Sequence, residues 1–275
     1  MKIGLALSGG GTKGLAHIGV IKVLEKNNIP IDFIAGTSAG AIIGGIYASG
    51  TPIKELERKI LSLKSRDFLG FILDFSKPQG GIVKAERLMN FVKENIKERY
   101  IENFKIGFAA VSADISNLKE VVIDKGDVLI AIRASIAYPG LVKPVKIKNS
   151  VLVDGGIVNN FPMDVLARKN MDFIIGVKFN SVRKMKDLSY KNVVWRSIKM
   201  MEIFLTDFRN KDIKNCIILE PNIYGVSTFS VSDKLAKKAI RAGEKEAKRK
   251  LPLIKEKIQE LENKPDLNLN ISNNL

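Results

Sequence analysis

The first fifty residues alternate between short apolar runs and segments with helical periodicity. Residues 3–7 and 31–35 are mainly apolar and of strand length, which is typical of strands buried on both faces of a sheet. Residues 14–26 and 39–48 place apolar and small side chains at helical spacing. The order strand, helix, strand, helix predicts an α/β fold with a mostly parallel sheet covered by helices.

The same patterns continue through the rest of the chain. They predict helices over residues 53–63, 84–97, 128–137, 161–168 and 193–208, and strands over residues 104–112, 120–123, 151–153, 173–179 and 216–219. A last helix is expected to begin at Ser232 and to pause at Pro252, with its lysines on a solvated face. Because no linker or repeat marks a second domain, we expect one domain over residues 1–264 and a disordered tail over residues 265–275.

Two scarce residue types exclude several kinds of site. The 275 residues are 45% apolar and 27% charged, which is typical of a globular protein and excludes a disordered chain. Cys216 is the one cysteine, so no internal disulfide can form. His17 is the one histidine, so a zinc site built from several Cys and His ligands is excluded. We therefore expect neither a metal nor a cofactor.

The chain is strongly basic, with 45 Lys and Arg against 29 Asp and Glu and a net charge of +16. Such a surface attracts nucleic acid, anionic lipid headgroups or acidic substrates. No apolar run reaches the roughly 18 residues of a membrane span, and the apolar start of the chain ends too early for a signal peptide. The expected location is the cytoplasm, and the positive charge allows peripheral contact with an anionic membrane.

A possible nucleophile lies after the second predicted strand. Gly36-Thr37-Ser38-Ala39-Gly40 matches the G-x-S-x-G pattern and lies between a strand and a helix. On such a tight turn the serine backbone is strained and its Oγ projects from the edge of the sheet. The flanking glycines are needed because a Cβ there would contact the neighbouring strand and helix. A glycine-rich turn with a helix-capping serine is the alternative, but the position of the motif favours Ser38 as a nucleophile.

The glycine loop after the first strand, Gly9-Gly10-Gly11-Thr12-Lys13-Gly14, has three interpretations. It matches the G-x-G-x-x-G pattern of dinucleotide sites, but that pattern requires an acidic residue at the end of the next strand, and Asp32 lies near its start. Consecutive glycines also allow backbone N–H groups to converge on one point, as in an oxyanion hole. A glycine turn without a ligand is the third interpretation. The position of the loop beside the elbow favours the oxyanion hole.

The base that would activate Ser38 is less clear from the residues alone. His17 lies among apolar residues about one helical turn behind the glycine loop, which favours a buried structural histidine. Asp154 follows a short apolar strand and precedes Gly155 and Gly156, so its carboxylate could point into the same crevice as Ser38. Asp114 and Asp124 are alternatives at other strand ends, and spacing alone leaves the choice open.

The motifs G-G-G-T-K-G, G-T-S-A-G and D-G-G, in this order, resemble those of the patatin-like phospholipases, a family of lipid acyl hydrolases. The similarity extends from residue 2 to about residue 166 and includes residues 80–88 and 133–145. The resemblance implies a three-layer α/β/α fold with a mostly parallel central sheet. It also implies a Ser–Asp dyad of Ser38 and Asp154, an oxyanion hole in the glycine loop, and a non-catalytic His17.

The resemblance implies a function as well, namely hydrolysis of lipid esters of phospholipase A or lysophospholipase type through an acyl-enzyme. Two positions differ mildly from the family pattern: Lys13 stands where arginine is common, which keeps the charge without the planar fork, and Gly156 stands where alanine is frequent. A general carboxylesterase or thioesterase would use the same site. A non-enzymatic basic protein that binds membrane or nucleic acid is the second alternative, although no nucleic-acid recognition motif is evident and we expect no such partner.

Two apolar segments bear on how a lipid would reach the site. Residues 68–75 could form a lid or acyl-chain wall, or an ordinary loop packed on the core. Residues 193–208 form an amphipathic segment next to several basic residues and could dock on anionic lipid. We expect instead that this helix turns its apolar side towards the core and leaves a solvated basic rim. The residues do not indicate an oligomeric state.

Overall fold

The computed structural model describes residues 1–63, 83–179, 188–226, 228 and 232–263. Its strands are β1 (Ile3–Leu7), β2 (Phe33–Thr37), β3 (Gly107–Asp114), β4 (Lys119–Ile123), β5 (Val145–Ile147), β6 (Ser150–Asp154), β7 (Phe173–Val177) and β8 (Cys216–Leu219). Its α-helices are α1 (Ala16–Lys26), α2 (Ala39–Ala48), α3 (Ile53–Ser62), α4 (Glu86–Asn95), α5 (Val128–Ser135), α6 (Gly156–Asn159), α7 (Met163–Arg168), α8 (Tyr190–Asn210) and α9 (Asp233–Glu262). Short 3-10 helices span Gly11–Leu15 and Ile101–Asn103.

The strands form one mixed sheet in the order β5-β6-β3-β2-β1-β7-β8, with β4 on the other edge of β3. The five strands β3, β2, β1, β7 and β8 are parallel, whereas β4, β5 and β6 form antiparallel pairs. The predicted α/β fold with a mostly parallel central sheet is therefore confirmed.

Successive side chains of the central strands point to opposite faces of the sheet, and helices cover both faces. Leu5 and Leu7 of β1 pack into the larger apolar cluster, together with residues of α1 to α5 and α9. Ala6, between them, packs into the second cluster with Val165 and Leu166 of α7. Strands buried on both faces explain why their sequences are continuous apolar runs rather than alternating ones.

The register of β3 brings the ends of β2 and β6 together. β2 pairs with one edge of β3 as far as Thr37, which lies opposite Val111. β4 occupies the other edge, so β6 continues along the β2 edge and places Asp154 opposite Ser112, one position further on. The residue that follows Thr37 and the last residue of β6 therefore meet at the carboxyl end of the sheet.

Three local features differ from the predictions. β5 was not predicted; it pairs with β6 in a hairpin whose turn includes Lys148 with φ +52°. The second strand spans Phe33–Thr37 instead of residues 31–35, and the Asp32 carboxylate just before it accepts a hydrogen bond from the Ile3 N–H at 2.6 Å. α9 continues through Pro252 instead of pausing, since Pro252 is exposed and the carbonyl that loses its partner can be solvated.

The prediction for the lysines of α9 can be compared with the structure, whereas two other predictions fall on residues that are not described. The lysines of α9 at positions 234, 237, 238, 245 and 248 are exposed, as a solvated face requires. Residues 68–75 and the tail over residues 265–275 lie outside the described residues. In the part of the chain that is described, no helix is long and apolar enough to cross a membrane.

Candidate active site

Ser38 forms a strained turn between β2 and α2. Its φ of 54° and ψ of −118° are unfavourable for a residue with a side chain, and such strain persists only where neighbours hold it. The Ser38 N–H donates to Ser135 Oγ at 2.9 Å, and the Ser135 hydroxyl donates to the Val111 carbonyl at 2.6 Å. A Cβ at Gly40 would lie 2.1 Å from the Leu7 carbonyl oxygen, which explains why glycine occupies that position.

Asp154 ends β6 in a buried position beside this turn. Only 2% of the residue is exposed, and its N–H donates to the Ala137 carbonyl at 2.9 Å. Its Oδ1 accepts a hydrogen bond from the Gly156 N–H at 2.7 Å, which fixes the carboxylate. The Ser38 hydroxyl is hydrogen-bonded to this carboxylate, so two residues more than one hundred positions apart in the chain are in contact.

The surroundings of Asp154 raise its pKa from about 3.8 to about 7. Burial is the largest cause, and the hydrogen bonds from Gly156 and Ser38 oppose it. The negative charge of Glu202 raises the pKa further, whereas the positive charge of Lys199 lowers it. A carboxyl group with a pKa near 7 can accept and release a proton at neutral pH, as a general base must.

The glycine loop passes directly beside Ser38. A Cβ on Gly9 would lie 3.2 Å from the Ser38 Cβ. The Gly9 N–H donates to the Asn160 carbonyl and the Thr12 N–H to the Thr228 carbonyl, each at 3.1 Å. Among the described residues, the N–H groups of Gly10 and Gly11 have no hydrogen-bond partner. Such donors, in a loop that passes beside a serine, fit an oxyanion hole.

His17 lies behind the loop and takes part in a different set of contacts. The residue is completely buried, and its Nε2–H donates to the Ser8 carbonyl at 2.9 Å. Its ring packs 4.9 Å from the Phe179 ring, and burial lowers its pKa to about 4. In the described part of the chain it forms no hydrogen bond with Ser38 or Asp154. These contacts match the predicted structural role.

Asp114 and Asp124, the alternative bases, are engaged elsewhere. The Asp114 carboxylate accepts hydrogen bonds from Ser150 and Asn117, and these bonds lower its pKa to about 2. Asp124 forms an ion pair with Lys169. Neither carboxylate is placed against Ser38 by these contacts, so Asp154 is the aspartate that the geometry favours.

A second buried carboxylate, which the sequence analysis did not single out, lies beside Asp154. Glu202 of α8 is 6% exposed and forms an ion pair with Lys199 at 2.6 Å. A Cβ on Gly156 would lie 3.8 Å from its Oε1 and 3.1 Å from Asp154 Oδ1, so glycine leaves space between the two carboxylates. The signal that could have found Glu202 is a single acid inside the apolar run from Met200 to Phe204.

The orientation of α8 is opposite to the predicted one. Its apolar residues Met201, Phe204 and Phe208 are 62%, 68% and 66% exposed, instead of facing the core. Its inward side is polar: Arg209 contacts the Glu120 and Asp164 carboxylates, and Asn210 donates to the Phe161 carbonyl at 3.0 Å. The helix therefore meets a charged surface of the domain, and polar groups on its inward side pair with the charges of that surface.

The described residues contain no cluster of three or more His, Cys, Asp or Glu side chains suited to a metal ion.

A strained serine on a strand-to-helix turn has a buried carboxylate beside it and, among the described residues, unpaired main-chain donors in the adjacent loop. This is the arrangement of a serine acyl hydrolase on an α/β sheet. The family model described as Patatin-like phospholipase matches residues 5–167, more than half of the chain. The chain therefore belongs to the patatin-like phospholipase family, and the predicted family is confirmed. The match includes all three motifs from which the resemblance was inferred.

Individual relatives are similar to this chain over only part of their length. An uncharacterized NTE family protein of Mycobacterium tuberculosis is 38% identical over 179 residues, which are 65% of this chain and 49% of that protein. Lysophospholipase NTE1 of Debaryomyces hansenii is 32% identical over 190 residues, 68% of this chain and 12% of that protein. The chain thus spans about half or less of the length of these relatives.

A solved structure supports the fold independently of the sequence matches. The crystal structure of VipD from Legionella pneumophila aligns with a TM-score of 0.54 and 15% identity, covering 92% of this chain and 67% of that one. At this identity the similarity is one of fold alone.

Proposed function

We propose that this chain is a serine lipid acyl hydrolase that cleaves carboxylic esters of lipids through an acyl-enzyme, with Ser38 as the nucleophile and Asp154 as the base. The observation that carries the proposal is the contact between the Ser38 hydroxyl and the buried Asp154 carboxylate, whose pKa is about 7. The lysophospholipase activity in the names of several relatives supports a lipid ester as substrate.

The first half of the proposed reaction forms the acyl-enzyme. Asp154 accepts the hydroxyl proton while Ser38 Oγ forms a bond to the ester carbonyl carbon. The bond to the leaving alcohol then breaks, and protonated Asp154 donates its proton to the alcohol oxygen. In the second half Asp154 takes a proton from water, which attacks the acyl carbon, and Ser38 Oγ regains the proton as it leaves.

Two features of the backbone would stabilise the negative charge on the carbonyl oxygen. Among the described residues the N–H groups of Gly10 and Gly11 have no other acceptor, and each well-placed donor contributes roughly 3 kcal/mol to transition-state stabilisation. Ser38 is also the residue before the first turn of α2, where the helix dipole favours negative charge. Both features act only when the carbonyl oxygen becomes anionic, so they lower the barrier more than they favour substrate binding.

Peripheral contact with an anionic membrane belongs to the same proposal. The net charge of +16 favours approach to anionic headgroups, and a lipid ester substrate is found in such a surface.

The test is a panel of substrates with the wild-type chain and Ser38→Ala. We expect the wild-type chain to release fatty acid from lysophospholipid or phospholipid, and Ser38→Ala to be inactive. A fluorophosphonate probe should label the wild-type chain at Ser38 and leave Ser38→Ala unlabelled. Turnover of short soluble esters or thioesters without lipid turnover would favour a general carboxylesterase or thioesterase. No labelling and no turnover would contradict an enzymatic function.

A further inference from the structure

The outward side of α8 is a continuous apolar stripe. Its members recur at spacings of three, four and seven residues, so they lie on one side of the helix. Each is exposed, and together they define what we call the outer stripe: Tyr190, Val193, Val194, Met200, Met201, Phe204 and Phe208. A contiguous exposed apolar surface of this kind marks an interaction site rather than an ordinary protein surface.

The helix cannot roll to bury this stripe without losing its inward contacts. Glu202 is buried near Asp154, and Arg209 is paired with both Glu120 and Asp164. Rolling would cover the Glu120 and Asp164 carboxylates with apolar side chains and remove their partner Arg209, which opposes the movement. The polar side of α8 thus holds the apolar side outward.

The charges around the stripe favour a lipid surface as its partner. Lys199 is paired with the inward Glu202, and Arg209 is paired inward with Glu120 and Asp164. The remaining charges between positions 190 and 214 are four basic residues and two acidic ones. Lys211 lies at the end of the stripe, with its Nζ 4.7 Å from the centre of the Phe208 ring. A helix with aromatic and apolar residues on one side and basic residues at the rim is typical of helices that lie in the interface of an anionic bilayer.

The position of α8 links this surface to the candidate active site. The inward Glu202 acts on the Asp154 carboxylate, and α8 packs against α6, which directly follows that residue. The outer stripe and the Ser38–Asp154 pair therefore lie on the two sides of one helix, whose diameter is about 10 Å. A bilayer that contacts the stripe would lie close to the site.

We infer that the outer stripe of α8 is the surface by which this protein docks on an anionic lipid bilayer. The inference rests on the proposed function, because lipid esters are the reason for the site to lie near a bilayer. The apolar side chains enter the boundary between headgroups and acyl chains, and the basic rim contacts the anionic headgroups.

Binding is measured with Ser38→Ala, which does not consume the vesicles. Trp195, the one tryptophan, lies on the side of α8 opposite the outer stripe, so docking is followed by co-sedimentation of the chain with vesicles rather than by fluorescence. The probes are vesicles of phosphatidylcholine alone and of phosphatidylcholine with phosphatidylglycerol in equal amounts. We expect a larger fraction of the chain to sediment with the anionic vesicles than with phosphatidylcholine alone.

The decisive comparison uses two double variants of equal charge change. Phe204→Glu with Phe208→Glu alters the stripe, whereas Tyr224→Glu with Leu253→Glu alters exposed apolar residues elsewhere. We expect the stripe variant to bind anionic vesicles at least about tenfold more weakly than the control variant. Equal binding by the two variants would overturn the inference.

Two other occupants of the stripe would also overturn it. If a second copy of the chain covers the stripe, sedimentation will show a dimer that the stripe variant loses, with vesicle binding unchanged. If the apolar residues 68–75 of the same chain cover it, the stripe variant will melt well below the control variant, again with vesicle binding unchanged.

A soluble short-chain ester separates docking from catalysis. On the Ser38 background the stripe variant should keep wild-type turnover of that ester while it loses turnover of esters in vesicles. If the wild-type chain cleaves no ester at all, the proposed function fails, yet the binding comparison on Ser38→Ala still decides whether the stripe docks.

Discussion

Asp154 and His17 are two buried titratable residues in the part of the molecule around the glycine loop, and burial favours the uncharged form of each. For Asp154 burial raises the pKa to about 7, and for His17 it lowers the pKa to about 4. Asp154 contacts the hydroxyl of a strained serine, whereas His17 donates to the Ser8 carbonyl and packs on Phe179.

This difference shows that a shifted pKa alone does not indicate a catalytic group. In the Asp154 region the shifted pKa is combined with a contact to the strained Ser38, whereas His17 has no contact of this kind with a nucleophile among the described residues. Serine nucleophiles are more often activated by a histidine, yet His17 lies inside α1, where its contacts are structural. The comparison can be tested by changing one region while the other serves as its control.

The largest expected effect separates the two regions by activity. Asp154→Asn keeps the shape of the side chain but removes the base, so we expect turnover of a lipid or soluble ester to fall by at least about 1,000-fold. His17→Gln should reduce turnover by less than about tenfold, since it removes no group that touches the substrate. Circular dichroism would show that both variants are folded. An active Asp154→Asn variant beside an inactive, folded His17→Gln variant would reverse the two assignments.

The pH dependence of turnover should report the Asp154 region. A base with a pKa of about 7 is protonated below that pH, so kcat/KM should fall about tenfold per pH unit and be about 100-fold lower at pH 5 than at its plateau. The measurement uses a soluble ester that does not ionise. A profile that stays flat down to about pH 4 would point to the His17 region instead, because the pKa of His17 is about 4.

The same two regions should affect stability in opposite pH ranges. The pKa of Asp154 is higher in the folded chain than its usual 3.8, so wild-type stability is lost as the pH rises from about 4 through 7. Asp154→Asn should therefore be more stable than wild type at pH 8, by up to about 4 kcal/mol. The pKa of His17 is lower than its usual 6.5, so stability is lost as the pH falls from 6.5 towards 4, by up to about 3 kcal/mol.

Urea unfolding of the wild type, Asp154→Asn and His17→Gln between pH 4 and pH 8 measures both effects. His17→Gln should lose the acid-side dependence and keep the one above pH 5. An Asp154→Asn variant that is less stable than the wild type at pH 8 would contradict this expectation, since it would mean that burial does not destabilise the Asp154 carboxylate.

The smallest expected effect concerns Glu202. Its negative charge raises the pKa of Asp154, so Glu202→Gln should move the acidic limb of the pH profile to lower pH by less than about one unit. Glu55→Gln, an equal charge change on α3, is the control and should leave the limb in place. A limb that moves equally in both variants would reflect net charge rather than the contact beside Asp154.

Local sequence patterns were sufficient for much of the fold and for part of the site. The apolar runs of β1 and β2, followed by glycine-rich segments and helical periodicity, predicted both strand-to-helix turns. These turns depend on neighbouring residues: the glycines at 36 and 40 are needed where the chain passes within contact distance of itself. The strained Ser38 and the free donors of the glycine loop could be expected for this reason.

The residues alone left the base undecided among three aspartates at strand ends, and the resemblance to the family, not the spacing, favoured Asp154. The structure shows why spacing was insufficient. β2 pairs with one edge of β3 only as far as Thr37, and β6 pairs antiparallel with β3 beyond that point. The position of Asp154 therefore depends on a pairing between segments that are distant in the sequence. The unpredicted β5 belongs to the same hairpin.

The sequence by itself determined every strand except β5, the two glycine-rich turns and the amphipathic pattern of α8, because these follow from local backbone geometry and from the period of apolar residues. Only the tertiary structure decided which way α8 faces and which carboxylates meet. A helix turns its apolar side inward only if the surface it meets is apolar, and here that surface carries Glu120 and Asp164, which attract Arg209. Such complementarity between distant segments cannot be read from the period of one segment.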